Sequence, residues 1–358
     1  AASLGEKPYA QTASERAVNA HLQRLGLAGR VELNTALGGM HRVRWELPDP
    51  PPLVSLIIPT RNGKDLVRQC IESILAQTTY PNYEILLVDN GSDDAEALEY
   101  FRELVASETV RLLRDDGPFN FSRLNNRAVE TAGGEVLVLL NNDTEVLAPD
   151  WLSEMVALAL VPKVGAVGAK LLYPDGTVQH GGVVMGVGGC ASHMHWRLPA
   201  QAPGYFGRAH LLQAYTAVTA ACLAVRKSIF VEAGGFDEER FKVGYNDVDF
   251  CLKVRKNGYW NVWTPWAELI HHESISRGTE DTSEKKQRFW NELSLLKKAW
   301  PNAFYSDPAY NPNLTLDKTD FTFSDQPRIA RAVRSQPSAL PKSLVPPADQ
   351  KIHLLLAV

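Results

Sequence analysis

Between residues 53 and 140 one pattern recurs: a short apolar run, an amphipathic stretch, then another apolar run. "LVSLIIP" (53–59), "EILLVD" (84–89), "VRLLR" (110–114) and residues 135–140 read as buried strands. In residues 64–77, Leu66, Val67, Cys70, Ile71, Ile74 and Leu75 line one helical face, and further helices are expected at roughly 93–105 and 121–132. Strands that alternate with helices in this way predict an α/β fold with a parallel sheet covered on both faces. Such sheets take ligands beyond the carboxyl ends of their strands. The residues that matter should therefore follow each strand, where the chain has Pro59-Thr60-Arg61-Asn62, Asp89-Asn90-Gly91-Ser92 and Asn141-Asn142-Asp143.

The third group poses a chemical question. An Asp-x-Asp at a strand end would suggest a divalent cation holding a diphosphate, because hard oxygen ligands suit Mg2+ or Mn2+. Here only Asp143 is acidic, so either one carboxylate serves or the stretch is a turn. Asn90 and Gly91 also fit a turn. Farther along, Val248, Cys251 and Leu252 form an apolar i, i+3, i+4 face, so a helix begins near Asn246 with Asp247 at its N-terminal end. The helix dipole favours an ionised carboxylate there, which suits a general base and equally suits a cap. Asp249 does not share that face and reads as a structural first-turn acid. If residues 268–272 are extended, only one of His271 and His272 points to a given side.

The flanks differ in character. Ser14 is placed to cap a helix over residues 14–27, and a hairpin is expected around Gly38-Gly39. "PDPPP" (48–52) is a stiff linker. Beyond residue 150 the pattern loosens into short strands and Gly-rich turns, with a helix at 280–300 whose Phe289, Trp290, Leu293, Leu296 and Trp300 form a packing stripe. A Pro-rich stretch (327–347) precedes "KIHLLLAV", which reads as a buried strand. With Ala1 at the start, it suggests a piece of a longer polypeptide that continues into another folded domain.

Composition excludes several classes. A net charge of −4 with no long basic run argues against nucleic acid. No apolar run approaches the roughly 18–20 residues of a transmembrane helix. Four cysteines (Cys70, Cys190, Cys222, Cys251) without CxxC spacing suit a reducing cytoplasm. No GxGxxG follows the first strand, and "PTRNGKD" (59–65) is a poor nucleotidyltransferase loop.

Six ordered motifs, "VSLIIPTRNG", "YEILLVDNGSDD", "GEVLVLLNND", "GGFDE", "NDVDFCLKVRKNGY" and "HHES", together resemble an inverting family 2 glycosyltransferase of the GT-A fold. The likeness covers roughly residues 53–278 and is nearest to rhamnosyltransferase-like members that build bacterial surface polysaccharides. It implies a mostly parallel, Rossmann-like nucleotide-binding half (53–145) and a mixed acceptor-binding half (146–305). A helix and hairpin appendage (1–52) and a C-terminal extension (306–358) flank them. The donor would be a nucleotide diphosphate sugar, dTDP-rhamnose or a UDP-sugar, and the acceptor a glycan or lipid-linked saccharide. The setting would be cytoplasmic, free or peripheral at the inner face of the membrane.

Residue by residue, the resemblance places base and ribose contacts at Pro59, Thr60 and Arg61, and makes Asp89 the acceptor of a uracil or thymine N3–H, beside Asn90. Asn126 would shape the nucleotide pocket or pack a helix. Asp143 would meet Mn2+ or Mg2+ directly, with Asn141 and Asn142 facing ribose or water. His271, with His272 as the alternative, would be a second metal ligand, and Asp247 the base, with Asn246 where the family has Glu. His180, Gly234, Gly235, Asn246 and Trp263 would wall the sugar or acceptor pocket, Trp263 or Trp266 stacking on a sugar or filling the core. A binding module that has lost catalysis is the alternative that Asn141, Asn142 and Asn246 leave open.

Overall fold

The computed structural model describes residues 8–34, 37–272 and 282–328. In chain order, α1 (Pro8–Leu25), β1 (Gly29–Leu33) and β2 (His41–Trp45) form the appendage. The parallel half follows as β3 (Val54–Thr60), α2 (Lys64–Gln77), β4 (Tyr83–Asp89), α3 (Ala95–Ala106), β5 (Arg111–Arg114), α4 (Phe121–Thr131) and β6 (Val136–Leu140). The second half contains β7 (Thr144–Val146), α5 (Trp151–Ala159), β8 (Val164–Leu172), β9 (Val178–His180), β10 (Val183–Met185) and β11 (Ala191–His193). It continues through β12 (Gln213–Tyr215), β13 (Cys222–Arg226), α6 (Lys227–Glu232), α7 (Asn246–Lys256), β14 (Trp260–His271), α8 (Ser283–Ala299) and α9 (Pro301–Tyr305).

Among the described residues ten strands share one sheet, in the order β12-β14-β8-β13-β6-β3-β4-β5, with β7 on β14 and β9 on β8. β5, β4, β3 and β6 are parallel. β13 runs antiparallel to both β6 and β8, so it joins the parallel half to a mixed half. Because β4 and β6 lie on opposite sides of β3, the strand order reverses there, and a crevice opens beyond the ends of β3 and β6. Apolar side chains alternate between two cores: Ile57, Leu137 and Leu139 pack with α4, α6 and α7, whereas Leu56, Ile58 and Val138 pack with α2, α3 and α5.

Several expectations change. Helix α1 begins at Pro8, so Ser14 lies inside it and caps nothing; its hydroxyl meets His41 Nε2 at 2.5 Å. The second half is not loose: β8 spans nine residues and β14 twelve. Gly-rich turns do occur there, as at Gly176 and Gly186, but two of the glycines are in-strand contacts. A Cβ on Gly165 would lie 2.2 Å from Val254 Cγ1, and one on Gly168 2.6 Å from Val218 Cβ. On α8 the stripe is only partly buried, with Leu293 and Leu296 in the core and Trp290 60% exposed. Residues 306–328, expected to begin an extension, return to the core through Asp307, Tyr310, Leu314 and Phe321. "KIHLLLAV" and most of the Pro-rich stretch lie outside the described residues.

The appendage is tied to the sheet by charge. Arg42 pairs with buried Glu154 at 2.7 Å and lies over the Trp266 ring at 4.1 Å, while Thr264 donates to the other Glu154 oxygen at 3.0 Å. Removing one partner of such a pair strands a buried charge, whereas an exposed pair contributes little. Glu154→Ala should therefore lower unfolding free energy by about 3 kcal/mol. Arg44→Ala, which breaks the more exposed pair with Asp150, should cost no more than about 1 kcal/mol. Urea titrations that gave equal losses would contradict this assignment.

Candidate active site

The crevice at the strand ends is crossed by a hydrogen bond from Asn142 Nδ2 to Thr60 Oγ1, 2.9 Å long. After Asp143 the chain turns into β7, which pairs antiparallel with the end of β14 so that His271 stands opposite Thr144. That register decides between the two histidines. His271 Nε2 lies 3.1 Å from Asp143 Oδ1 and 3.2 Å from Asn141 Nδ2. His272 turns the other way, to Glu145 Oε2 at 3.1 Å and Gln69 Nε2 at 3.2 Å. Gln179 Oε1 sits 2.6 Å from His271 Nδ1, so the ring donates its Nδ1–H there and turns Nε2 towards the Asp143 carboxylate.

Across the same cleft stands Asp247, at the start of α7 as its neighbours predict. Its Oδ1 accepts from Val248 N at 2.8 Å and its Oδ2 from Ala220 N at 3.0 Å, which fixes the carboxylate between the helix and the turn before β13. Asn246 is buried: its Oδ1 accepts from Asp247 N at 2.8 Å, and its Nδ2 donates to Val243 O at 3.2 Å. Asp249 points away, accepting from Trp300 Nε1 at 2.9 Å and pairing with Lys253 at 3.1 Å. Glu292, which no sequence signal marked, grips the loop before this helix by accepting from Val243 N at 3.1 Å and Gly244 N at 3.0 Å. Burial raises its carboxyl above the usual range.

The cleft holds about 330 Å3 and is lined by Asn141, Asp143, Gln179, Asn246, Asp247 and His271 together with Phe121, Tyr173, His193, Trp196, Thr219–Ala221 and Val243. Gln179 adjoins His180, one of the expected wall residues, and Thr219–Ala221 form the turn before β13. Tyr173, His193 and Trp196 were missed, because aromatic and histidine side chains in a Gly-rich segment carry no periodic signal.

Other expected positions sit elsewhere. Trp263 has no exposed surface; its indole N–H donates to His180 O at 3.3 Å and its ring stacks on His195, so it cannot take a sugar. Trp266 lies under Arg42 instead. His180 is wholly buried behind the wall, with Nδ1 2.7 Å from His193 Nδ1. Gly234 and Gly235 close α6 rather than wall the cleft: their N–H groups return to Val231 O and Phe230 O, with φ of 77° and 62°. A Cβ on Gly235 would meet Asn126 Oδ1 at 2.8 Å. Asn126 spends its amide on the same loop, donating to Phe236 O at 2.9 Å and accepting from Phe236 N at 3.0 Å.

On the nucleotide side Pro59 and Thr60 are buried in β3 and Arg61 is exposed. Asp89 is fully buried, its carboxylate accepting from Ser92 N at 2.9 Å, from the Ser92 hydroxyl and from Arg114 Nη1 at 2.7 Å. Of these partners Arg114 is half-exposed, with 41% of its side chain open to solvent. Asn90 donates to Asp115 O and Gly117 O, both at 2.9 Å, and so holds the neighbouring loop.

His195, behind the cleft, is packed among Trp263, Tyr215 and Phe321, and burial with nearby Arg208 and Lys170 pulls its pKa down to about 4. An unfolded chain would protonate this ring near pH 6.5, so between about 6.5 and 4 the unfolded state binds the extra proton and stability falls as pH falls. His195→Asn, which tolerates the φ of 60° at this position, should flatten that decline by up to about 1.4 kcal/mol per pH unit. Denaturation curves from pH 7 to 4.5 with the same slope in both proteins would contradict the buried neutral ring.

Known proteins place this geometry. Residues 55–230 match the family "Glycosyl transferase family 2". An uncharacterized protein, y4gI, of Sinorhizobium fredii is 52% identical over 90% of this chain, and the O-antigen biosynthesis protein RfbC of Myxococcus xanthus is 41% identical over 87%. The chain spans only 36% and 24% of those two relatives. An N-acetylglucosaminyl-diphospho-decaprenol L-rhamnosyltransferase of Mycobacterium tuberculosis is 28% identical over 58% of this chain and 73% of its own length. Two solved structures share the fold over 71% of this chain. One is GalNAc-T7 with UDP, GalNAc and Mn2+ (TM-score 0.56, 16% identity, 50% of that chain). The other is the mannosyltransferase PcManGT of Pyrobaculum calidifontis with GDP-Man and Mn2+ (TM-score 0.52, 19% identity, 68% of that chain). The parallel half with its crevice, the mixed half that closes it and the family match agree: this chain carries a glycosyltransferase family 2 domain of the GT-A fold.

Proposed function

We propose that this domain transfers a sugar, with inversion, from a thymidine or uridine diphosphate donor such as dTDP-rhamnose to a hydroxyl of a growing bacterial surface glycan or lipid-linked saccharide. The supporting observation is a single cleft that holds Asp247, fixed by two backbone N–H groups, together with the Asp143 and His271 pair. The relatives named for O-antigen synthesis and rhamnosyl transfer favour the substrate class. A cytoplasmic setting, free or peripheral at the inner membrane face, belongs to the same proposal, as do further domains in the natural chain. No helix among the described residues is long and apolar enough to cross a membrane.

The donor set fits Mn2+ or Mg2+. Two ligands at right angles on bonds of about 2.1 Å stand about 3 Å apart, and Asp143 Oδ1 and His271 Nε2 are 3.1 Å apart. Gln179 supplies the outer hydrogen bond that orients a ligating imidazole. Among the described residues no group of three His, Cys, Asp or Glu side chains gathers, so donor phosphate oxygens would complete the shell. When bound, the cation supplies Lewis-acid stabilisation of the leaving diphosphate. Each Asp247 oxygen keeps a lone pair beyond its backbone hydrogen bond. One takes the proton of the acceptor hydroxyl while that oxygen attacks the anomeric carbon opposite the breaking bond to phosphate, whose electron pair leaves with the diphosphate.

Thymidine diphosphate should bind more tightly with Mn2+ than without it, and Asp143→Ala should remove most of that gain. Calorimetry that found equal enhancement in the two proteins would exclude Asp143 as a ligand. Asp247→Asn keeps the size and capping ability of Asp. It should leave donor binding and melting temperature nearly intact while kcat falls by ~10² to 10⁴. Wild-type turnover would remove Asp247 from the base role. The second reading, a binding module without catalysis, is favoured by Asn at 141, 142 and 246, and measurable donor turnover by the wild type would exclude it.

A further inference from the structure

Trp196 lines the cleft yet remains 54% exposed. Its presentation is built into the backbone. Both neighbours, His195 and Arg197, are non-glycine residues in the left-handed region, with φ of 60° and 62°. Such strain persists only where surroundings enforce it, and it gathers at ligand sites. His195 is anchored inward among Trp263 and Phe321. Arg197 is anchored outward by Asp175 at 2.8 Å and by the Tyr173 ring at 3.9 Å. Between these two anchors the indole is turned to the cleft, and its N–H donates to Tyr173 OH at 3.1 Å.

In the same cleft lining, His193 has a defined tautomer. The Thr219 backbone N–H can only donate, and it meets His180 Nε2 at 3.4 Å, so the buried His180 ring carries its proton on Nδ1. That proton is given to His193 Nδ1 at 2.7 Å, which leaves the His193 proton on Nε2, a donor in the cleft wall.

We propose that Trp196 is the platform for a pyranose ring of the acceptor, with His193 Nε2–H as the adjacent directional donor. A pinned aromatic face that keeps half its surface open suits the apolar C–H face of a sugar, and a fixed N–H suits a ring hydroxyl. The acceptor, rather than the donor sugar, fits because a growing glycan extends into solvent, while the donor is held by its nucleotide in the strand-end crevice. The inference rests on the glycosyltransferase reading, but its test is separate.

The test uses protein labelled with 5-fluorotryptophan, with the Trp196 resonance identified by its loss in Trp196→Phe. Methyl α-L-rhamnoside, β-D-glucoside, β-D-galactoside and α-D-mannoside would be titrated in the presence of thymidine diphosphate and Mn2+. The Trp196 resonance is expected to shift saturably with at least one of them. By saturation-transfer measurements, Trp196→Ala should weaken that sugar by about 2- to 10-fold, with Trp196→Phe in between and thymidine diphosphate affinity unchanged. His193→Ala should narrow the differences among the four sugars. Silence to every pyranoside would overturn the proposal. A shift with nucleotide alone would assign Trp196 to the donor side, and a shift with phospholipid vesicles in place of sugar would make it a membrane contact; both overturn it. Failure of thymidine diphosphate to bind would count against the transferase reading instead, since the pyranoside response is read on its own resonance.

Discussion

The antiparallel pairing of β7 with the end of β14 holds the cleft in register. It sets His271 opposite Thr144 and ties His272 N to Asp143 O at 2.8 Å, so the last residue of one long strand is delivered to the carboxylate at the end of another. A slip of one residue would exchange His271 for His272 and leave Asp143 facing the wrong side chain. The rest of the sheet protects that register. β14 also lies parallel to β8, β8 is paired with β13, and β13 with β6, whose end carries Asn141. One connected hydrogen-bonded sheet therefore positions the metal-binding candidates from both of its halves.

The proposed cation site uses a single acid, and this arrangement makes up for the missing ones. Amides at 141 and 142 lower the negative charge at the strand end, and both are used. Asn142 ties β6 to β3 through Thr60, and Asn141 meets the same imidazole nitrogen that faces Asp143. A cation held by one carboxylate and one imidazole depends on donor phosphates for the remainder of its shell. In the proposed mechanism metal and donor binding are thus coupled, each strengthening the other by the same factor. The side proposed to supply the base is arranged differently: Asp247 is oriented by backbone N–H groups from two elements, and Glu292 grips the loop that leads to it.

The parallel half was legible because continuous apolar strands and amphipathic helices leave a periodic trace. The helix over Lys64–Gln77 and strands β3 to β6 fall within two residues of where the pattern puts them. The start of α7 at Asn246 was legible for the same reason. Three kinds of feature were not. Gly165 and Gly168 disguised a nine-residue strand, since the glycines serve close packing and not turns. Trp263 was an equal candidate for core and sugar platform, because an aromatic's exposure is decided by residues distant in sequence, here His180 and His195. Glu292 and Trp196 act through tertiary placement alone: one accepts backbone N–H groups some fifty residues away, the other is turned outward by two strained neighbours.

The central claim is that Asp143 and His271 together form a cation site completed by the donor diphosphate. Pulsed electron spin resonance of the Mn2+–thymidine diphosphate complex, on protein carrying 15N-labelled histidine, reads the coordination shell directly. The account predicts coupling of the electron spin to phosphorus and to a single histidine nitrogen, with the nitrogen coupling absent in His271→Gln. Phosphorus coupling without any histidine nitrogen, or a nitrogen coupling that survives in His271→Gln, would contradict it.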